Sequence, residues 1–178
     1  VAAHKAGADV TMVTKLGRDT FADIALNTMK ELGMKQDRIL YSDDTETGCA
    51  LIMVDENTSQ NEIVVILGSC NTISDAEVDS LEDLLDGCEY MLTQLETNVS
   101  SVERIVDIAC KKGVKVILNT APVQPISDEL LSKVDLITPN EVEAEILTGV
   151  KVDSEEAADK AAEWFFAKGV KRVLITLG

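Results

Sequence analysis

An asparagine and a glutamate three residues apart stand at the predicted start of a helix. Asn140 follows a proline, and Glu143 lies on the same helix face, beside free backbone N–H groups and the positive end of the helix dipole. Such a position can hold a phosphate and, through the carboxylate, a hydrated Mg²⁺ ion. The same spacing is typical of a capping box, in which both side chains bind the start of their own helix. The spacing alone leaves both interpretations open.

Other short segments that contain polar residues directly follow apolar runs that are predicted to be strands. They lie at 94–96, 119–120 and 176–178. Because the carboxyl ends of parallel strands meet at one edge of a sheet, these residues and Asn140 are expected to line one cleft. The Glu96 carboxylate can accept hydrogen bonds from the hydroxyls of a polyol, or it can stabilise the start of a helix capped by Thr97. Asn119 by itself favours a turn.

Residues 71–178 alternate helical periodicity with short apolar runs, which indicates parallel strands joined by crossover helices. Strands are predicted at 90–93, 114–118, 136–138 and 172–176. Ser74 with Glu77, and Asp153 with Glu156, are predicted to cap two of the helices. The remaining helices are predicted at 99–109, 128–131 and 140–147. The fold class is therefore α/β.

Residues 37–67 differ because they have no helical period. Strands are predicted at 38–40, 49–54 and 62–67, and a turn joins the last two as a hairpin. A β-rich insertion of this kind forms a flap whose exposed face must be covered by a ligand, a partner chain or charge. We therefore divide the chain into the start of an α/β domain at 1–36, the flap at 37–70 and the rest of the α/β domain at 71–178.

The composition excludes several classes of protein. Of the 178 residues, 46% are hydrophobic, which is enough to fill a core and argues against intrinsic disorder. The formal net charge of -16 repels nucleic acid and anionic membranes, and no apolar run is long enough to span a bilayer. The four cysteines match neither a zinc site nor a CxxC pair. Their apolar neighbours predict free, buried thiols in a reducing cytoplasm.

Several catalytic motifs do not occur. GxGxxG and GxxxxGK[ST], which bind dinucleotides and nucleoside triphosphates in other folds, are missing. His4 is the single histidine, and no serine or cysteine stands in a nucleophile motif, which argues against histidine-dependent nucleophilic catalysis. The sequence begins at Val1 in what is predicted to be the end of a helix, and Gly178 directly follows an apolar run, so the chain is expected to be an internal piece of a longer protein.

Six segments carry a resemblance to a known family. They are LGRD at 16–19, TGCALI at 47–52, QLE at 94–96, NTAP at 119–122, TPNEVEAEILTG at 138–149 and ITLG at 175–178. In this order and spacing, the sequence resembles the ribokinase group of the PfkB carbohydrate kinase family over nearly all of its length. The resemblance implies a ribokinase-like three-layer, doubly wound, mainly parallel sheet with a small β-sheet lid. It also implies ATP-dependent phosphorylation of a small sugar such as ribose, with transfer of the γ-phosphoryl group to a hydroxyl.

The resemblance further implies roles for individual residues. Glu96 would bind the sugar, and Glu143 would help to organise Mg²⁺. The residues that would bind ATP lie at two strand ends: Asn140, Thr176, Leu177 and Gly178. The flap would be the lid, which closes over the sugar and pairs with the lid of a second subunit in a homodimer. A monovalent cation such as K⁺ is expected in the complete enzyme.

The sequence also departs from the family pattern. The glycine-rich sugar motif and the Gly-Ala-Gly-Asp motif with the catalytic aspartate are absent, so the 178 residues alone are expected to be inactive as a kinase. Ala22 stands where a glycine is usual. Three alternatives remain. The first is a related kinase that acts on fructose, a nucleoside or a keto-deoxy sugar acid. The second is a non-catalytic module that binds or dimerises through the lid, and the third is an unrelated acidic α/β domain.

Overall fold

The computed structural model describes residues 1–58 and 60–177, and its fold is α/β, as predicted. Two compact units divide the chain, Val1–Ile73 and Ser74–Gly178. Helices lie at α1 (Ala2–Lys5), α2 (Thr20–Glu31), α3 (Asp75–Asp79), α4 (Val99–Lys111), α5 (Asp128–Ser132), α6 (Glu141–Thr148) and α7 (Glu155–Ala167). Strands lie at β1 (Lys15–Leu16), β2 (Leu40–Tyr41), β3 (Thr47–Val54), β4 (Asn61–Gly68), β5 (Tyr90–Thr93), β6 (Lys115–Leu118) and β7 (Leu136–Ile137).

Strands β3 and β4 of the first unit form the predicted antiparallel hairpin, in register from Thr47 opposite Gly68 to Val54 opposite Asn61. Its apolar side chains are exposed on both faces, with 45–61% of their surface accessible: Leu51, Ile52, Met53, Val54, Ile63, Val64, Val65 and Ile66. The strand predicted at 38–40 is displaced, because β2 begins at Leu40, where it pairs in parallel with β1. The hairpin thus presents two apolar faces to solvent.

The base of the hairpin is held by close backbone packing. A Cβ atom on Gly48 would lie 2.5 Å from the carbonyl oxygen of Leu67, so a side chain does not fit there. Asp19, which caps α2, also accepts a hydrogen bond from the backbone N–H of Thr47 at 2.6 Å. A separate small core lies in the same unit: Leu16, Ala22, Met29, Met34 and Ile39. The hairpin is therefore anchored at its base and exposed beyond it.

Strands β5, β6 and β7 of the second unit form a parallel sheet in that order. The continuous strand predicted at 172–176 is wrong, because the structure has two isolated parallel bridges there, Val173 with Ile137 and Thr176 with Asn140. Pro139 lies on the opposing segment, between Ile137 and Asn140. Because proline has no backbone N–H to donate, the hydrogen-bond ladder is interrupted there. The segment still follows β7 along the sheet and brings Thr176 beside Asn140.

Helices α4, α5 and α7 contribute to the main core of this unit. Val116, Leu118, Ile137 and Phe165 are completely buried in it. The capping box predicted at Ser74 and Glu77 is present. The predicted cap at Asp153 is wrong by one residue, since the Ser154 side chain accepts the hydrogen bond from Ala157 N and begins α7.

The exposure of the cysteines differs from the prediction. The four cysteines are free, as expected, but the prediction that they are buried is wrong: Cys49 and Cys70 are half-buried, and Cys88 and Cys110 are exposed. Apolar neighbours in the sequence do not bury Cys110, because successive residues of a helix point to different faces. Among the described residues, no helix has the length and apolar character needed to cross a membrane.

Asp135 is expected to make stability depend on pH. Burial raises its pKa, but hydrogen bonds from Lys171 Nζ (2.7 Å) and Val116 N (2.9 Å) outweigh that effect and hold the pKa below its usual range. A depressed folded pKa stabilises the protein above the unfolded pKa of about 4, and this contribution is lost as the pH falls through the folded value. Asp135→Asn should lower the free energy of unfolding at pH 7 by about 1–3 kcal/mol.

Urea denaturation between pH 3 and 7 measures this effect. The difference between Asp135→Asn and the unaltered chain should shrink as the pH falls below about 4. Asp9→Asn is the control, because the Asp9 side chain is exposed and lies 3.5 Å from Lys35 Nζ at the surface. An Asp135→Asn difference that stays constant over this pH range would contradict the prediction.

Candidate functional site

The carboxyl ends of β5, β6 and β7 lie at one edge of the sheet, as predicted, and backbone hydrogen bonds join the segments that follow them. Asn119 N donates to Thr93 O at 2.9 Å, and Leu95 N donates to Ala121 O at 3.1 Å. At the other side of the sheet, Thr176 N donates to Pro139 O at 3.0 Å. The ends of the three strands and the 173–176 segment therefore form one continuous edge.

Asn140 and Glu143 form a complete capping box at the start of α6. The Asn140 Oδ1 atom accepts a hydrogen bond from Glu143 N at 2.8 Å, and Glu143 Oε2 accepts one from Asn140 N at 3.1 Å. A further bond runs from Asn140 Nδ2 to Glu143 Oε1 at 3.1 Å. The capping interpretation of this pair is thus confirmed, and the box lies at the sheet edge where a ligand was predicted.

The carboxylate of Glu143 is buried, with 9% of the residue surface accessible. Besides the two donors of Asn140, it is bound by the hydroxyl of Thr120, whose Oγ1 donates to Glu143 Oε2 at 2.8 Å. Thr120 is completely buried. Sequence reasoning included Thr120 in the strand-end cluster and gave it no role of its own, since no pattern relates two residues 23 positions apart.

Asn119 forms the predicted turn and also contacts the next strand. Its Oδ1 accepts from Ala121 N at 3.2 Å, while its Nδ2 donates to Thr138 O at 3.1 Å. The side chain therefore joins the segment after β6 to the end of β7.

Glu96 lies at the end of β5 and is exposed. Among residues 1–58 and 60–177, its carboxylate makes no hydrogen bond or ion pair, and its backbone N–H donates to Gln94 Oε1. The predicted cap at Thr97 is wrong, because α4 begins after Asn98. The Glu96 carboxylate is thus free to accept hydrogen bonds from a ligand.

The remaining predicted ATP ligands lie at the last described positions. Thr176 and Leu177 are exposed, and Thr176 is bridged to Asn140. Gly178, which was predicted with them, lies outside the described residues. The structure therefore brings Thr176 beside Asn140 and places Leu177 directly after it.

The donor set at this edge fits one type of metal binding. Within the described part of the chain, no cluster of three or more His, Cys, Asp or Glu side chains is placed to hold a metal ion. The Glu143 carboxylate has about four lone-pair positions and accepts three hydrogen bonds, so about one position is left. Mg²⁺ commonly binds through one or two carboxylates while phosphates and water supply the other ligands. The residues therefore fit Mg²⁺ bound in that way.

The chain is similar to known proteins over its whole length. The family profile described as pfkB family carbohydrate kinase matches residues 1–178. The ribokinase of Haemophilus influenzae is 44% identical over 178 residues, which are 100% of this chain and 58% of that protein. The deoxyribokinase of Salmonella typhi is 33% identical over 179 residues, again covering 100% of this chain and 58% of that protein.

A solved structure of Arabidopsis thaliana ribokinase, in complex with ribose and ATP, superimposes with a TM-score of 0.80 at 28% identity. The alignment covers 93% of this chain and 54% of that one. The chain thus spans 58% of the length of these two curated relatives. The family profile over the full length, the sequence identities and the shared fold agree: the chain belongs to the pfkB family of carbohydrate kinases.

Proposed function

We propose that this chain supplies the sugar-binding and nucleotide-binding strand ends of an ATP-dependent kinase that phosphorylates ribose. One observation carries the proposal: the Asn140–Glu143 capping box, whose Glu143 carboxylate is buried and bound by Thr120, lies at the carboxyl edge of the parallel sheet. The 44% identity to a ribokinase over the whole chain favours ribose as the sugar. Because the chain spans 58% of the length of that relative, the proposed activity is that of a protein that contains these residues.

Each residue would act through its position at this edge. Glu96 would accept hydrogen bonds from the sugar hydroxyls with its exposed carboxylate. The start of α6 would attract the ATP phosphates through its dipole, together with Asn140 and the exposed residues Thr176 and Leu177. Gly178 would complete the nucleotide site. Because the whole chain carries a net charge of -16, these local dipoles must bind phosphate against the overall field.

Glu143 is the residue proposed to hold Mg²⁺. The ion, when bound with ATP, neutralises charge on the phosphates during transfer. The chain contributes orientation, since the Glu143 carboxylate is fixed by three hydrogen bonds before any ligand arrives. A monovalent cation such as K⁺ and the catalytic aspartate would belong to segments of the complete enzyme.

The hairpin β3–β4 is proposed to be the lid and to pair with the lid of a second copy. Apolar strands that are exposed on both faces, with unpaired edges, favour burial against another surface. A homodimer through the lid would cover one of these apolar faces. The lid is assigned to residues 37–70.

The proposal predicts activity in an insertion chimera. These 178 residues would replace the matching 178 residues of the Haemophilus influenzae relative, which would supply the segments outside the match. We expect this chimera to phosphorylate ribose with ATP, measured as ADP release, and the isolated chain to show no activity. Loss of a positioned general base alone lowers the rate by about 10²–10⁴-fold. A folded chimera without activity on ribose would refute the proposed function, and an active isolated chain would refute the prediction that these residues alone are inactive.

Two alternatives are separated by related measurements. A substrate panel including 2-deoxyribose distinguishes a related sugar kinase, which the similarity to a deoxyribokinase makes worth testing. Calorimetry of the isolated chain with ATP and Mg²⁺ distinguishes a non-catalytic dimerisation module. Saturable binding that is weakened by Asn140→Ala would exclude that module, whereas a stable dimer with no nucleotide affinity would support it.

A further inference from the structure

The carboxylate of Glu143 accepts a hydrogen bond from outside its own helix, and the donor is Thr120. The bond from Thr120 Oγ1 to Glu143 Oε2 is 2.8 Å long and joins two buried residues. The other donors to this carboxylate, the backbone N–H and Nδ2 of Asn140, belong to the cap itself. The Thr120 hydroxyl therefore links the start of α6 to the segment after β6.

The capping box of α3 provides a comparison within the chain. There, the N–H and the hydroxyl of Ser74 donate to Glu77 Oε2 at the protein surface, at 2.8 and 2.9 Å. An exposed box of this kind is sufficient to begin a helix. In the second box, Glu143 is instead buried, Asn140 is half-buried, and the carboxylate is also bound by a hydroxyl from another segment. Burial of a carboxylate is unfavourable unless hydrogen bonds satisfy it. The Thr120 hydroxyl therefore satisfies a buried carboxylate, which the exposed box does not require.

We propose that Thr120 is a positioning residue of the proposed kinase: its hydroxyl holds the Glu143 carboxylate in the orientation that binds hydrated Mg²⁺ with ATP. The inference rests on the proposed function and adds a residue to it. With valine at position 120, one Oε2 lone pair would lose its donor and the terminal torsion of Glu143 would be less restricted. Metal dependence should therefore change more than sugar binding.

The test compares Thr120→Val with Thr120→Ser in the insertion chimera. Valine has nearly the shape of threonine but lacks the hydroxyl, while serine keeps it. We expect Thr120→Val to raise the Mg²⁺ concentration for half-maximal activity by about tenfold, the effect of losing one hydrogen bond to a charged group. The KM for ribose should stay unchanged, and Thr120→Ser should restore the Mg²⁺ dependence to within about twofold of the unaltered chimera.

Thr148→Val is the matched control at the other end of α6. The Thr148 hydroxyl donates to Ala144 O at 2.7 Å, so its loss affects the same helix away from Glu143. This variant is expected to be less stable with an unchanged Mg²⁺ dependence. Equal shifts in Mg²⁺ dependence for Thr120→Val and Thr148→Val would overturn the inference, because the effect would then be one of helix stability.

The outcomes separate this inference from the proposed function. An active unaltered chimera with no shift in Thr120→Val refutes the positioning role alone, whereas an inactive unaltered chimera refutes both. A double-mutant cycle of Thr120→Val with Glu143→Gln, measured by urea unfolding of the isolated chain, tests the bond itself without relying on activity. Non-additive effects on the unfolding free energy support the bond between the two side chains, and additive effects overturn the inference.

Discussion

Replacement of Glu143 by glutamine is expected to lower ATP-dependent phosphorylation of ribose in the insertion chimera by about 10²–10³-fold, the size of effect seen when one preorganised electrostatic contact is lost from an active site. Glutamine has the size of glutamate but lacks the negative charge that favours Mg²⁺. It also brings an amide NH₂ group against the Thr120 hydroxyl and the Asn140 donors, where the carboxylate now accepts three hydrogen bonds. The decrease should appear in kcat and in the Mg²⁺ dependence, with little change in the KM for ribose.

Glu77→Gln is the matched control for this experiment. Glu77 has the same place in the capping box of α3, but that box is exposed. Its replacement should leave kinase activity unchanged while it affects the start of α3. If Glu143→Gln retained activity within about threefold of the unaltered chimera, far from the loss expected of a charged active-site group, the carboxylate would serve helix capping alone.

Replacement of Phe165 by alanine is expected to lower the free energy of unfolding by about 3–5 kcal/mol, the range measured for large aromatic residues in cores. Phe165 is completely buried in the main core of the second unit, together with Leu118 and Ile137. Its ring also meets Trp164 edge to face, with centroids 5.3 Å apart. Truncation would leave a cavity that the parallel sheet and α7 cannot close without losing their packing. Urea denaturation followed by circular dichroism measures the loss.

The neighbouring Phe166 provides the control, because half of its surface is exposed. Phe166→Ala should change the free energy of unfolding by less than about 1 kcal/mol, as surface substitutions usually do. Small domains have only about 5–15 kcal/mol of stability, so Phe165→Ala can unfold the chain outright. In that case Phe165→Leu is measured instead, and it should lower the free energy of unfolding by about 1–3 kcal/mol. Equal losses at positions 165 and 166 would contradict the assignment of the core.

Local signals in the sequence were sufficient for most of the helices. The Ser74–Glu77 and Asn140–Glu143 boxes were predicted because a cap depends on side chains that lie within one turn of the backbone they bind. The same rule was wrong at α7, where Asp153 and Ser154 are adjacent candidates and Ser154 is the cap. Two neighbouring polar residues of similar capping preference differ too little in local energy for sequence to choose between them.

Strand boundaries depended on partners far along the chain. The hairpin of β3 and β4 was predicted because two apolar runs without helical period are joined directly by a turn. At 172–176, an apolar run predicted a full strand, but the segment that pairs with it contains Pro139, so the pairing is reduced to two bridges. The burial of side chains could not be predicted in the same way: Cys110 directly follows the apolar residues Ile108 and Ala109 and is exposed.

The sequence by itself determined the α/β class, the hairpin, the strand-end positions of Glu96, Asn140 and Glu143, and the resemblance to the PfkB family. Its signals are local or follow motif order, so they carry no information about which donors reach a given side chain across the sheet. The tertiary structure decided that the Glu143 carboxylate is buried and that the Thr120 hydroxyl binds it. Parallel pairing of β6 with β7 brings these two residues together, since it places the ends of both strands at the same edge of the sheet.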